Sequence, residues 1–384
     1  MKYWHLVWSA MRRKRLRTIF TLLSIVIAFI LYGYLAAIDQ AFSMGVELAG
    51  ADRLILMSKV SLIQLLPESY QAQIAAVPHV LEVTHATWFG GIYQDPKNFF
   101  GQYAVEPEAY LKIYPELIVP EAQKKAWFED RTGVMVGRSI ATRFGWKVGD
   151  RVPIQATIWR KKDNSSTWEF TVDGIYDGNK QGVDTTQFLF HYKYFDEARW
   201  RGAGMVGWYI IRIDAPDDAP KIAASIDKLF ENSAFETKTS TEKAFMQGFA
   251  KQVGNIGAII EAVLTAVFFT ILLVVGNTMM QSVRERTTEL AVLKTIGFTD
   301  GRVLGLVLAQ SLLVAAVGGG IGLALAWLMI RRGDPTNGAL PIFFFPPREM
   351  VWGLAFVAGL GLITGIIPAV QAMRLRVVDA LRRT

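Results

Sequence analysis

The chain contains no cysteine. Disulfides, thiolate metal sites and cysteine nucleophiles are therefore excluded, although this absence says little about redox compartment. Histidine is almost as scarce: His5, His79, His85 and His191 are scattered, and no His/Asp/Glu set has metal-ligand spacing. His79 and His85 fall on one predicted strand, where a surface or satisfied core role outweighs metal binding. No G-x-x-x-x-G-K-S/T loop is present to cradle a nucleotide, and no serine stands in a G-x-S-x-G context. Nothing in the chain points to catalysis. Charge is sparse as well, at 20% of residues, and it is nearly missing from four long apolar blocks.

Those blocks run 18–38, 256–280, 303–330 and 351–370, and Glu261 is the one charged residue in them. A helix needs ~20 apolar residues to cross a bilayer. A buried core helix is a poor account of one such block and a worse account of four. The first block, with basic residues before it, invites comparison with a cleaved signal peptide. A signal core spans only ~7–15 residues, so a retained span is the better reading.

Lysine and arginine placement sets the orientation. Segments 1–17, 281–302 and 371–384 together hold fourteen basic residues against four acids, whereas 39–255 holds 24 basic and 27 acidic residues. The basic side is expected to be cytoplasmic, with both termini inside, although Arg331 and Arg332 at the outer end of the third block run against the trend. A net charge of +7 distributed in this way reflects topology and contact with anionic lipid, and no nucleic-acid partner is expected.

Within 1–17, Trp4, Val7, Trp8 and Met11 recur at helical spacing while Arg12 and Arg13 fall elsewhere. An amphipathic helix on the cytoplasmic membrane surface is expected, since indole prefers the headgroup region; a disordered basic leader is the alternative. Segment 39–255 reads as a mixed α+β extracytoplasmic domain. Strands are predicted over 53–57, 79–89, 133–136, 151–159, 167–175 and 205–214, with helices over 67–77 and 216–232. Thr239 and Glu242 have capping-box spacing and are expected to start a helix that continues without a strong breaker into the second span. The fold class is therefore an α-helical membrane protein with four spans and an inserted α+β domain. Its segments are 1–17, spans 18–38, 256–280, 303–330 and 351–370, the outer domain 39–255, the cytoplasmic loop 281–302, the short outer loop 331–350 and the tail 371–384.

The loop 281–302 carries an amphipathic helix. Val283, Leu290, Leu293 and Ile296 can share one face, and Arg284, Glu285, Thr288 and Glu289 another. Gly297 is placed to end that helix and Thr299 to cap the next. Docking on a partner and lying on lipid are both open on composition alone. Gly318, Gly322, Gly361 and Gly365 suit close helix packing. Glu261 can be read as a proton or substrate site, or as a carboxylate snorkelling to water.

The loop resembles the signature of the MacB/FtsX family of ABC-transporter permeases, in which N-x-x-x-x-S-V-x-E-R-x-x-E follows the second span. Asn277, Ser282, Val283, Glu285, Arg286, Glu289, Leu290, Ala291, Lys294 and Gly297 fall in place. Residues 12–24 are similar to the family's basic entry to span one, 145–154 to the V-G-D segment of its periplasmic domain, and 365–382 to its closing G-x-x-P-A and A-L-R pattern. The likeness is weak over roughly 50–130. It implies a MacB-type periplasmic core domain and an FtsX-like permease domain over 256–384 in the bacterial inner membrane. It also implies a homodimer that recruits two copies of a separate cytoplasmic ABC ATPase, which binds ATP and Mg; no cofactor is expected in this chain. Arg284, Glu285, Arg286, Glu289, Leu290, Lys294 and Gly297 would form the ATPase-coupling region, with Arg286 and Glu289 first in line for contact. Export or efflux through mechanotransmission, with a membrane-fusion adaptor and outer-membrane channel, is the leading implication. The alternatives are an FtsX-like regulator of periplasmic cell-wall hydrolases and a lipoprotein-releasing permease.

Overall fold

The computed structural model describes residues 14–48, 50–180, 182–252, 256–332 and 343–375. The expected surface helix with Trp4, Trp8, Arg12 and Arg13 lies outside the described residues, as do the junction at 253–255 and the tail from 376. The chain divides into two compact units, an outer one over 41–254 and 334–342, and a membrane one comprising the remainder.

The first helix is α1 (Arg15–Leu48). Elements of the outer unit follow in order: β1 (Arg53–Ser58), β2 (Leu66–Pro67), α2 (Tyr70–Ala75), β3 (Val80–Trp88), β4 (Gly91–Ile92), β5 (Gly101–Val105), α3 (Pro107–Ile113), β6 (Leu117–Ile118) and α4 (Glu121–Glu129). Next are β7 (Gly133–Gly137), α5 (Arg138–Phe144), β8 (Arg151–Ala156), β9 (Thr167–Gly178), β10 (Gln187–His191) and α6 (Tyr192–Ala198). Then β11 (Met205–Val206), β12 (Trp208–Ile213), α7 (Ala219–Leu229), β13 (Thr237–Thr241) and α8 (Glu242–Gln252) complete it. One continuous sheet runs β13-β1-β12-β3-β5-β10-β7-β9-β8-β4. The pairs β5/β10 and β7/β9 are parallel and the other neighbours antiparallel.

Alternation along the strands covers both sheet faces. Leu54 and Leu56 of β1 enter one core with Ile74, Ile222 and Ile226 from α2 and α7. Ile55 enters the other with Tyr110, Ile113 and Trp127 from α3 and α4. Burial on both faces is why β7 (GVMVG) is buried at every position, a run that a half-exposed strand does not show. By contrast, β8 alternates exposed and buried residues, the pattern of a strand with one wet face.

The helix expected from Thr239 starts later. Thr239 lies in β13, where its hydroxyl reaches Asp227 at 2.6 Å, and Thr241 caps α8 by accepting the Ala244 N–H at 3.1 Å. Glu242 does not close a capping box; its carboxylate accepts from Arg53 instead. His79 and His85 are separated in role: His79 is exposed and meets Asp214 at 2.9 Å, and His85 is fully buried beside Tyr192.

Asp173, on β9, is 8% exposed, and its Oδ2 has no hydrogen-bond partner among the described residues. Burial, and then the nearby Asp130 charge, push its pKa up to about 6. Because the folded value exceeds the unfolded one, the native domain prefers the protonated form. This stabilising preference is complete below pH ~4 and is lost as pH rises through about 6, costing at most about 3 kcal/mol. Asp173→Asn is expected to raise the unfolding temperature of the outer domain at pH 7.5 by several degrees and to leave it nearly unchanged at pH 4. Equal shifts at both pH values, by calorimetry, would reject this account.

The membrane unit adds α9 (Ile256–Glu285), α10 (Thr287–Thr295), α11 (Asp300–Arg331) and α12 (Pro347–Met373). With α1, the three longer helices are long and apolar enough to cross a membrane. Ile25, Phe29 and Tyr32 of α1 pack with Val275 and Met279 of α9, Val314 and Leu323 of α11, and Val357 and Leu360 of α12.

The α10 junction as candidate functional site

The α9 helix ends at Glu285, and α10 begins two residues later around Arg286, whose backbone (φ −105°, ψ 12°) has left helical geometry. The other end closes in a Schellman arrangement: Phe298 N–H donates to the Leu293 carbonyl and Gly297 N–H to that of Lys294, both at 3.1 Å. Gly297 has φ +102°, a conformation that a side chain resists, so glycine is required there. Val283, Leu290, Val303, Val307, Ala369 and Ala372 form the apolar cluster under the junction. Ile296, expected on the same buried face, is 73% exposed, because α10 has ended before it and the chain is turning at Gly297.

Polar contacts tie this junction to the spanning helices. Glu285 accepts from Lys14 at 2.8 Å and from Arg17 of α1 at 2.9 Å. Arg286 donates through Nε to Glu289 and through Nη1 to Gln310 of α11, both at 3.0 Å, and Gln310 in turn reaches Ser282 of α9 at 3.3 Å. Lys294, whose side chain is 9% exposed, donates to the carbonyls of Met373 at 2.6 Å and Leu375 at 3.1 Å, and pairs with Asp300 at 2.7 Å. Met373 ends α12 and Leu375 lies just beyond its cap, so the ammonium stands at the C-terminal end of the helix, where the dipole favours a cation.

The expected coupling residues are thus brought together, but they serve different faces. Arg286, Leu290 and Lys294 face inward, Glu289 is occupied with Arg286, and Arg284 is exposed. The outward face of α10 and its end consists of Thr288, Val292, Thr295 and Ile296, a stripe at i, i+4, i+7 and i+8. Sequence reasoning passed over Val292. Its signal was available: it lies four residues from both Thr288 and Ile296, on the side opposite the buried Leu290 and Ala291.

The four glycines sit at helix crossings. A Cβ on Gly322 would stand 2.8 Å from the Val26 carbonyl oxygen of α1, and one on Gly361 would stand 2.9 Å from the Leu312 Cα of α11. Gly318 and Gly365 meet Ile25 and Ser311 at 2.9 Å and 2.8 Å in the same sense. Ser311 adds a hydrogen bond to the Gly361 carbonyl, reachable only because that residue has no side chain to hold the helices apart.

The FtsX-like permease C-terminal family matches residues 261–377, which include the α10 junction. An uncharacterised ABC transporter permease of Methanocaldococcus jannaschii, MJ1507, is 24% identical over 97% of this chain and 95% of its own length. The uncharacterised ABC transporter permease YknZ of Bacillus subtilis is 27% identical over 45% of this chain and 44% of its own. A macrolide export ATP-binding/permease protein, MacB, of a Shewanella species is 30% identical over 38% of this chain but only 22% of its own. Among solved structures, the periplasmic region of MacB from Actinobacillus actinomycetemcomitans is similar at a TM-score of 0.37 and 11% identity, over 52% of this chain and 94% of that one. The extracellular domain of YknZ is similar at 0.36 and 10%, over 49% and 99%.

Proposed function

The chain is an ABC transporter permease of the MacB/FtsX type, and from that premise we propose that it converts ATP-driven motion of a separate cytoplasmic ATPase into motion of its outer domain. ATP and Mg bind the partner, and two copies of each subunit form the working unit in the cytoplasmic membrane. Export or efflux is the activity served.

The observation that carries this reading is the fastening of one short helix to the spans. Through Glu285, Arg286 and Lys294 the junction holds α1, α11 and α12, and it continues α9 directly. A push on α10 therefore cannot be absorbed locally. The outer domain lies in sequence between α1 and α9, so displacement of either helix reaches it through the chain. Transmission of force also fits spans that carry few ionisable residues to line a polar path.

The ATPase would seat on Thr288, Val292, Thr295 and Ile296, because exposed apolar side chains bury area that the engaged Arg286 and Glu289 cannot supply. Co-expression with the ABC ATPases of the same genome and affinity purification test this. Ile296→Asp and Val292→Asp are expected to cut recovery of the bound ATPase by about tenfold, the effect of losing an apolar anchor of ~1.4 kcal/mol or more. Undiminished recovery would move the docking face elsewhere, and no ATPase bound by the wild-type chain would sink the proposal. The same result bears on orientation, since a cytosolic ATPase reaches α10 only if this loop is cytoplasmic.

A further inference from the structure

A cleft of about 800 Å³ opens in the membrane unit between α1, α9 and α12. Three carboxylates line it, one from each helix: Asp39, Glu261 and Glu349. Three aromatic rings stand beside them. Tyr32 meets Phe268 at 6.1 Å and Phe356 at 5.7 Å between ring centres, and Phe268 meets Phe356 at 4.9 Å. Tyr32 also donates its hydroxyl to Glu349, at 3.0 Å to Oε2 and 2.9 Å to the backbone oxygen. The remaining walls are mostly aliphatic.

Carboxylates gathered at the edge of a bilayer are costly unless a positive charge faces them. Among the described residues no lysine or arginine pairs with Glu261 or Glu349, and the neighbouring Arg348 is exposed and outside the cleft lining. A metal ion is a poor occupant: no group of three acidic or histidine side chains among the described residues is disposed to hold one. What suits acidic groups set in an aromatic and aliphatic cleft is a positive charge carried on an apolar body. The ring faces attract such a charge through their quadrupole, and the walls bury the body.

We propose that this cleft binds a small lipophilic cation, its charged centre among Tyr32, Asp39, Glu261 and Glu349 and its apolar body against Phe268 and Phe356. The site stands apart from the ATPase surface, and its occupancy is measured without any ATPase, so either reading can fail alone.

Equilibrium dialysis of tetraphenylphosphonium against the full chain in dodecyl maltoside tests the proposal, with tetraphenylborate as the anion of matched shape. Saturable binding of the cation and none of the anion is expected. Glu261→Gln, at an exposed position, and Glu349→Gln should each weaken binding about fivefold, and the pair about twentyfold or more, as loss of facing charges predicts. Preserved helicity and elution volume of Glu261→Gln separate lost binding from lost folding. Equal binding of both ions, or affinity indifferent to both substitutions, overturns the site. Displacement of the probe by phosphatidylethanolamine at matched mole ratio would overturn it too, by making a lipid headgroup the occupant.

Discussion

Replacing Glu242 by Gln is expected to destabilise the outer domain by about 3 kcal/mol, and replacing Arg53 by Met by about 3–5 kcal/mol, the range for breaking a buried ion pair from one side. The two side chains are 6% and 7% exposed and meet at 2.6 Å. Glu242 also accepts from the Gly50 N–H at 2.9 Å and the Tyr114 hydroxyl at 2.9 Å. Arg53 reaches Glu116 at 2.8 Å and lies 4.5 Å from the centre of the Tyr114 ring. Burial alone would make the guanidinium easier to deprotonate; Glu242, with Tyr114 and Glu116, more than offsets this and holds it charged. Each single substitution strands a group that was taken out of water for its partner. The loss should appear as a fall of roughly 6–15 °C in the outer domain's unfolding temperature, at the few degrees per kcal/mol usual for a domain of this size. The double change to Met and Gln should cost less than the sum, because neither charge is then left alone. Strict additivity would mean that the pair is not coupled.

On the transmission of motion proposed above, the position of this pair would give it a role beyond stability. Gly50 and Arg53 stand where the chain enters the sheet after α1, and Glu242 is the first residue of α8 after β13. Entry and exit are thus fastened to each other inside the outer unit, and under the proposed mechanism they would move together. A weakened fastening should let one strand yield before the sheet moves.

Lys294→Ala is the second large effect. Its ammonium serves the terminal Met373 carbonyl of α12, the Leu375 carbonyl just beyond it and the Asp300 carboxylate, and removal takes the Lys294 cation from all three. The exposed stripe through Val292 and Ile296 is untouched, so ATPase recovery should change less than about threefold while permease-dependent stimulation of turnover falls about tenfold or more, a loss of ~1.4 kcal/mol or greater in coupling. Lys294→Arg, which keeps the charge, should recover part of the stimulation. Equal loss of binding and stimulation would assign Lys294 to the docking face itself.

Legibility from sequence followed the length over which a pattern is averaged. The four spanning helices were readable because some twenty consecutive uncharged residues admit few alternatives, and only their ends moved: α1 continues to Leu48 and α9 to Glu285. Long alternating strands such as β3 and β9 were readable on the same ground. The five-residue strands β5, β10 and β13 escaped notice, whereas β7, of the same length, was predicted. Thr239 shows why local motifs mislead: its capping-box spacing with Glu242 was real, but Asp227 and Arg53, distant in sequence, took both side chains. At α10 the terminating Gly297 was legible because only backbone sterics are involved. Which charged side chains are engaged within the chain was not, because the partners of Arg286 and Lys294, Gln310 and the end of α12, are distant in sequence.

By itself, then, the sequence determined four spans, an inserted α+β domain and a short helix between the second and third spans. Each depends on hydrophobicity, local steric preference and charge bias summed along contiguous residues. The tertiary structure alone decided that Glu285, Arg286 and Lys294 around that helix hold the spans, that Val292 and Ile296 are presented outward, and that Asp39, Glu261 and Glu349 share one cleft. A side chain's partner is set by whichever group arrives beside it in space, and dozens to hundreds of intervening residues carry no local trace of that arrival.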